Sequence, residues 1–134
     1  MSNRTTLEQG RAAFAYEAAK KGSELSKNSE YKAYVKKMPM YIKTNGLGAA
    51  MSFAFAKGSK GGVPVLTKAW GLIYSQIEDW LKNNWDLVDF DKKETIMGNL
   101  LILESPEYRA TTIEVLALLN WMRRFAEGLI TKEN

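Results

Sequence analysis

Three closely spaced carboxylates, Asp86, Asp89 and Asp91, form the densest cluster in the sequence that could do chemistry. Two or three carboxylates can hold Mg²⁺ for phosphoryl chemistry. Here Val88 and Phe90 interleave the acids, so successive side chains face different ways, and no glycine supplies the tight turn of a calcium loop. The spacing therefore favours a solvated turn between helices, with Asp91 as a helix cap, over a metal site.

The sequence lacks the residues that most other catalytic chemistries require. The sequence has no cysteine and no histidine, which removes thiolate nucleophiles, disulfides, the usual zinc ligands and the commonest general base. The stretch AKGSKGGVP, residues 56–64, resembles a phosphate loop only superficially, because no Gly-Lys-Ser/Thr ends it at a helix start. No catalytic residue, metal site or cofactor is predicted.

Basic residues in two parts of the chain indicate a different kind of site, one that binds a polyanion. Lysine neutralises a phosphate as a point charge, whereas arginine can grip it with paired N–H groups. The candidates for phosphate contact are Lys36, Lys37, Lys43, Lys57, Lys60, Arg123 and Arg124. The alternative is an ordinary solvated surface, in which Arg123 pairs with Glu127 one helical turn later.

Three tyrosines lie among the lysines of the first group. Tyr31, Tyr34 and Tyr41 could stack on nucleic-acid bases or pack in the core, and the sequence favours the core.

Charge is divided unevenly along the chain. Residues 1–67 contain 11 basic and 4 acidic residues, a net charge of +7, and residues 68–134 contain 8 basic and 11 acidic residues, a net charge of −3. This polarity suits a polyanion on one face and, on the other, a protein partner or a second copy of the chain.

Six segments have the periodicity of amphipathic helices, and none alternates with period two. The predicted helices cover residues 5–21, 29–45 with a kink or break at Pro39, 47–57, 65–81, a short segment after Asp91, and 105–130 with Ser105 as its cap. Leu66 and Leu101 are predicted to face the core, and residues 58–62 to form a flexible connector. The 134 residues are thus predicted to be one all-α domain, a compact bundle of about six helices with short loops.

The chain is expected to be cytoplasmic and to have no membrane partner. Its first residues are polar and amphipathic, without an apolar run before a small-residue cleavage site. No stretch of 18 apolar residues occurs in the sequence.

Two ordered elements carry a resemblance to a known family. The first is MPMYIKTNGLGAAMSFAFAK, with Pro39, Ile42, Asn45, Gly46 and Leu47 at its key positions. The second is SPEYRATTIEVLALLNWMRRFAEGL, with Tyr108, Arg109, Glu114, Trp121, Arg123, Arg124, Phe125 and Ala126. Together with length and helix order, they closely resemble the small α-helical subunit of type III-B CRISPR RNA-guided effector complexes, the Cmr complexes. Ala49 departs from the polar residue expected there in some relatives, so an RNA contact at that position would be missing.

The resemblance implies a non-catalytic subunit without a small-molecule substrate. Its implied partners are the backbone and large subunits of the complex, copies of itself in a head-to-tail stack, and the guide and target RNAs. The basic residues would then face RNA phosphates, and Asp86, Asp89 and Arg109 would lie at subunit contacts.

Two alternatives to that role remain open. An RNA-independent helical adaptor would use the basic face to bind an acidic protein. A small metal-dependent nuclease would rely on Asp86, Asp89 and Asp91.

Overall fold

Six helices and one short hairpin make up residues 3–131, the part of the chain that the computed structural model describes, with side chains from Thr6 onward. The elements are α1 (Asn3–Ser23), α2 (Asn28–Asn45), α3 (Leu47–Gly58), β1 (Ser59–Lys60), β2 (Val63–Pro64), α4 (Ala69–Asn84), α5 (Ile96–Leu100) and α6 (Ser105–Leu129). The predicted all-α class and helical bundle are confirmed. The bounds of α1, α2 and α3 agree with the prediction to within two residues.

Helix α2 lies at the centre of the bundle, in contact with α1, α3, α4 and α6. Its buried side chains, Tyr31, Val35, Met38 and Ile42, recur every three or four residues and so share one face. The helix continues through Pro39, so a break there is wrong. Packing on its neighbours outweighs the one backbone hydrogen bond that proline removes.

Tyr31 has the core position predicted for it. Its side chain is fully buried, and its hydroxyl donates a hydrogen bond to Gln76 Oε1 at 2.7 Å. Gln76 Nε2 in turn donates to the carbonyl oxygen of Ala18 at 2.9 Å, which joins α2, α4 and α1. Burial raises the pKa of Tyr31 well above its usual value, so the hydroxyl keeps its proton at neutral pH.

A buried ion pair ties α1 to α6. Arg11 donates two hydrogen bonds to Glu114, from Nη2 to Oε1 at 2.7 Å and from Nε to Oε2 at 3.0 Å. The indole N–H of Trp80 on α4 donates to Glu114 Oε2 at 2.8 Å. Glu114 is 3% exposed, so these donors replace the water that its charge has lost. The hydrogen bonds to Glu114 also raise the pKa of Arg11 above its usual value.

A short hairpin stands where a flexible connector is predicted for residues 58–62. Strand β1 pairs antiparallel with β2. The turn residues Gly61 and Gly62 have φ angles of 62° and 83°, the left-handed conformation that two-residue hairpin turns require. Strands of two residues are too short to show alternation, so a period-two search misses them.

Two glycines bring the backbones of α3 and α4 into contact. A Cβ added to Gly58 would collide with the backbone nitrogen of Gly71, and one added to Gly71 would collide with the carbonyl oxygens of Val65 and Gly58. The N–H of Val65 donates to the carbonyl oxygen of Gly58 at 2.7 Å, which fixes the hairpin against this crossing. A larger residue at either glycine would push the two helices apart.

Helix α4 begins four residues later than predicted and ends three residues later, at Asn84. Leu66 therefore precedes the helix, and it is 54% exposed rather than in the core. The apolar residues 63–66 belong instead to the hairpin and the turn after it.

The two helix N-caps predicted in the C-terminal half of the chain, Asp91 and Ser105, are both wrong by a few residues. Thr95 caps α5, since its side chain accepts a hydrogen bond from the N–H of Gly98 at 3.1 Å, and Asp91 lies before it. Glu104 occupies the N-cap position of α6, and Ser105 is the first helical residue. Several side chains there can serve as caps, and spacing alone does not choose among them.

Candidate nucleic-acid interface

A groove of about 260 Å³ lies between α2 and α6. Pro39 and Leu116 give it apolar surface, and Lys43, Asn120 and Arg123 give it polar surface. We call it the α2–α6 groove. The packing of α2 on α6 thus brings together Lys43 and Arg123, which are both predicted to contact phosphate.

Two further predicted lysines continue this basic surface along α2. Lys36 and Lys37 are both exposed. A spacing of seven residues puts Lys36 on the same side of α2 as Lys43, and Lys37 lies next to it around the helix. The exposed lysines form a ridge that begins about one helical turn before Pro39 of the α2–α6 groove.

The two α6 arginines predicted to contact phosphate have partners within their own helix. Arg123 Nη1 donates to Glu127 Oε1 at 2.9 Å, and its Nη2 donates to Asn120 Oδ1 at 3.3 Å. The guanidinium of Arg124 lies over the ring of Trp121, 5.7 Å from its centroid. The Arg123–Glu127 pair is the intrahelical alternative that the sequence spacing indicates. It is 35% and 44% exposed, so a phosphate could compete for the arginine.

A larger cavity, of about 570 Å³, opens between α2, α3 and α4. We call it the aromatic cleft. Its aromatic lining consists of Tyr34, Tyr41, Phe53 and Trp70. Its charged lining consists of Lys27, Glu30, Lys57 and Lys68. Tyr34 and Tyr41 lie two residues, about 160° around α2, from Lys36 and Lys43 respectively, so the cleft and these two lysines lie on different sides of this helix. Lys37, about 100° around α2 from Lys36, is on the side nearer to the cleft.

The aromatic lining is an ordered cluster. Tyr34 stacks on Trp70 with ring centroids 4.5 Å apart and an interplanar angle of 8°. Phe53 meets Trp70 edge-on at 5.3 Å, and Tyr41 meets Phe53 edge-on at 5.3 Å. Tyr34 and Tyr41 are half-buried, so the core position predicted for both is only partly correct. Sequence reasoning did not identify Phe53 as a site residue, because its helix looks uniformly apolar.

The last two predicted lysines lie away from the α2–α6 groove. Lys57, on α3, lines the aromatic cleft, with Nζ 5.8 Å from the centroid of the Phe53 ring. Lys60 is exposed in strand β1. The predicted basic residues are therefore divided between different surfaces.

The carboxylate cluster forms an exposed turn between α4 and α5. Asp86, Asp89 and Asp91 are all exposed, and the N–H of Asp91 donates to Asp89 Oδ1 at 2.9 Å, as in an Asx turn. Val88 between them is 5% exposed and packs in the core. Within residues 3–131, no group of three or more His, Cys, Asp or Glu side chains is placed to hold a metal ion.

The residues predicted for subunit contacts do not all line one cavity. Asp86 and Asp89 line a shallow cavity of about 380 Å³ beside Lys82 and Trp85. Arg109 is exposed near the start of α6 and does not line that cavity. Their role at a subunit contact stays a prediction.

Exposed apolar residues flank the acidic turn. Leu87 is 42% exposed, Leu101 84% and Ile102 49%. We call these three residues the apolar patch. Leu101 is thus not in the core as predicted, because α5 ends at Leu100 and the chain turns outward. Leu87 and Ile102 also line one cavity with Glu104.

The two sequence elements that carry the family resemblance meet in space. The hydroxyl oxygen of Tyr108 accepts a hydrogen bond from the N–H of Gly48 at 2.7 Å, within the first turn of α3. Gly46 just before it has a φ of 93°, a conformation that favours glycine. The turn between α2 and α3 is therefore fixed against the start of α6.

Comparisons with known proteins first identify the fold and then the family. The structure resembles the X-ray crystal structure of a CRISPR-associated Cmr5 family protein from Thermus thermophilus, with a TM-score of 0.66 and 24% sequence identity. The match covers 97% of this chain and 99% of that chain, and it shows a shared helical fold. The family model of the CRISPR-associated protein Cas_Cmr5 matches residues 7–129. The chain therefore belongs to the Cmr5 family of CRISPR-associated proteins, which confirms the resemblance and supports a role in a Cmr complex.

Within residues 3–131, no helix is both long enough and apolar enough to cross a membrane.

Proposed function

We propose that this chain is a non-catalytic small subunit of a type III-B CRISPR effector ribonucleoprotein in the cytoplasm. Copies of it would stack head to tail along the guide-RNA backbone beside the backbone and large subunits. There they would help to hold the duplex of guide and target RNA in antiviral defence. Base pairing between the two RNAs would supply sequence specificity, and the protein would contact the backbone and read duplex shape.

The α2–α6 groove is the observation that carries this proposal. Lys43 and Arg123 flank it, and Lys36 and Lys37 extend the positive charge along α2. Exposed lysines and arginines in a row neutralise successive phosphates without reading bases. Lys57, Lys60 and Arg124 add positive charge at other exposed positions.

A different surface is available for protein contacts. The apolar patch next to Asp86 and Asp89 combines exposed leucine and isoleucine side chains with negative charge. Exposed apolar groups beside acids suit a partner surface that is itself apolar and basic. Arg109, at the start of α6, would add a charged contact to a neighbouring subunit.

The apolar patch also favours a second candidate function, that of an RNA-independent adaptor. Leu101 is 84% exposed and belongs to a group of three exposed apolar side chains, whereas single exposed leucines are ordinary on a protein surface. Such a group favours a contact with another protein. An adaptor would bind its protein partners equally well with and without RNA.

Size-exclusion chromatography across a salt series distinguishes the two functions. The purified chain is mixed with a guide-loaded effector assembly that lacks its small subunit, and in parallel with free RNA and with guide-free backbone proteins. The ribonucleoprotein function predicts incorporation that depends on the guide and weakens with salt, because each phosphate contact contributes about one unit to the log–log salt slope. Equal binding without RNA would favour the adaptor.

Charge reversal of Lys36 and Lys37 tests the basic ridge within the same experiment. Lys36→Glu/Lys37→Glu should reduce both incorporation and its salt slope. Lys20→Glu/Lys21→Glu, at an exposed pair near the end of α1 that belongs to neither proposed surface, is the matched control. An unchanged salt slope in the first variant would remove Lys36 and Lys37 from the RNA-facing surface.

A further inference from the structure

The aromatic cleft is a concave surface that the proposed phosphate contacts leave unexplained. Its volume of about 570 Å³ lies within the range of about 300–1,000 Å³ typical of small-ligand sites. A nucleotide falls within the size that such sites accommodate. The cleft lies between α2, α3 and α4, away from the α2–α6 groove, so both surfaces could be occupied at once.

The cleft presents an aromatic ring that is both ordered and accessible. Phe53 is 39% exposed, and Trp70 and Tyr41 hold its ring in T-shaped contacts at centroid distances of 5.3 Å, with the flexible side chain of Lys57 over the ring. Tyr34 is also partly accessible, and its stack on Trp70 fixes its ring plane. Unpaired bases stack on such rings with little sequence preference, because every base has a π face.

The charge of the cleft matches a nucleic acid. Lys27, Lys57 and Lys68 line it together with a single carboxylate, that of Glu30. All three lysines are exposed, and Lys57 Nζ lies 5.8 Å from the centroid of the Phe53 ring. A base stacked at Phe53 would therefore have its phosphate within the reach of flexible cationic side chains.

We infer that the aromatic cleft binds one unpaired nucleotide of single-stranded RNA, with its base on Phe53 and its phosphate near Lys57 and Lys68. The inference rests on the proposed function, to which it adds a site for stacking a base. An acidic peptide would satisfy the lysines but leave the aromatic faces without a matching partner. A nucleotide uses both.

Fluorescence anisotropy with two labelled oligomers tests the inference on the full-length chain. One probe is an octamer of uridylate, and the other is an abasic octamer with the same number of phosphates. The unaltered chain should bind the uridylate octamer more tightly. Phe53→Leu should weaken binding of the uridylate octamer about tenfold, leave binding of the abasic octamer unchanged, and so remove the difference between the probes.

Three further variants separate stacking from charge and from folding. Phe53→Tyr keeps an aromatic face and should keep the preference for the base-containing probe. Lys57→Ala should weaken binding of both probes and lower the salt slope by about 0.7. Tyr16→Leu is the matched control, because Tyr16 is 40% exposed and contacts Phe125 outside the cleft. Circular-dichroism melting checks that each variant is folded.

The inference is overturned if the unaltered chain binds both probes equally or binds neither. It is also overturned if Phe53→Leu behaves like Tyr16→Leu, or if binding responds to Lys57→Ala but not to bases, as an electrostatic or acidic-peptide site would. Incorporation into the guide-loaded assembly separates these results from failure of the proposed function. If only the inference fails, the unaltered chain still joins the assembly in a guide-dependent and salt-sensitive way; if the proposed function fails, it joins equally well without RNA or does not join.

Discussion

Two arginine–glutamate pairs, each with its carboxylate on α6, have similar geometry and very different surroundings. In the Arg11–Glu114 pair, the shorter contact is 2.7 Å and the side chains are 13% and 3% exposed. In the Arg123–Glu127 pair, the contact is 2.9 Å and the side chains are 35% and 44% exposed. The first joins distant parts of the chain and also holds Trp80, whereas the second stays within one helix.

The difference in exposure determines what each pair can do. Water cannot replace a lost partner of Glu114, so the buried pair is required by the fold. Water or a phosphate can replace Glu127 as a partner of Arg123 at little cost, so the exposed pair leaves the arginine available for binding. The function proposed for this surface would therefore depend on charges that contribute little to stability.

The largest effect should follow from removal of the buried carboxylate. Glu114→Ala leaves Arg11 with an uncompensated charge and Trp80 without its acceptor, so the free energy of unfolding should fall by about 3–5 kcal/mol. Urea denaturation measures this loss. Glu107→Ala, on the same helix but without an interhelical ion pair among the described contacts, is the control. A loss below about 1 kcal/mol for Glu114→Ala would mean that the buried pair does not hold the helices together.

The next effect concerns binding rather than stability. Lys43→Ala/Arg123→Ala removes two cations from the α2–α6 groove and should lower the log–log salt slope of RNA-dependent assembly by about two. Over a fourfold range of salt this changes the affinity ratio by about tenfold. Lys20→Ala/Lys21→Ala has the same charge change and should leave the slope unchanged. A slope that fell equally in both variants would show a general charge effect.

A smaller effect is expected where a neutral hydrogen bond joins α3 to α6. Tyr108→Phe removes the acceptor of the Gly48 N–H and should lower the free energy of unfolding by about 1 kcal/mol. Thermal denaturation of Tyr108→Phe measures this loss. Tyr16→Phe is the control, because Tyr16 is an exposed tyrosine elsewhere on the surface. Equal melting temperatures for the two variants would contradict it.

The smallest effect on stability should come from the exposed pair. Glu127→Gln should change the free energy of unfolding by less than about 0.5 kcal/mol. It should also strengthen RNA-dependent assembly about twofold, because Arg123 loses a competing anion. Weaker assembly in Glu127→Gln would indicate that Glu127 positions Arg123 for binding rather than competing for it.

The sequence predicts the two pairs unequally well for a physical reason. A spacing of four residues on a helix brings side chains together, so Arg123–Glu127 follows from the sequence alone. Arg11 and Glu114 meet only because α1 packs on α6, and no local pattern carries that information. The same limit applies to Tyr108 and Gly48, which lie in the two elements of the resemblance and meet through the fold.

Helix positions are predicted well where apolar residues recur with helical spacing, as in α2 and α3. Residues 63–66 are misplaced because a short apolar run fits a helix start and a hairpin equally well. The aromatic cleft does not follow from the sequence, since Tyr34, Phe53 and Trp70 come from three helices. In sequence, each of them looks like an ordinary core residue.

The contact between Gly58 and Gly71 has a consequence for how this protein can evolve. Because backbone atoms touch at the crossing of α3 and α4, the spacing of these two walls of the aromatic cleft is set by the backbone at the crossing. Mutations at Phe53, Lys57 or Lys68 can then alter what the cleft accepts in single steps while its walls stay in place. A side chain at either glycine would collide with backbone atoms, so substitutions in the cleft are compatible with this crossing only while both glycines are kept.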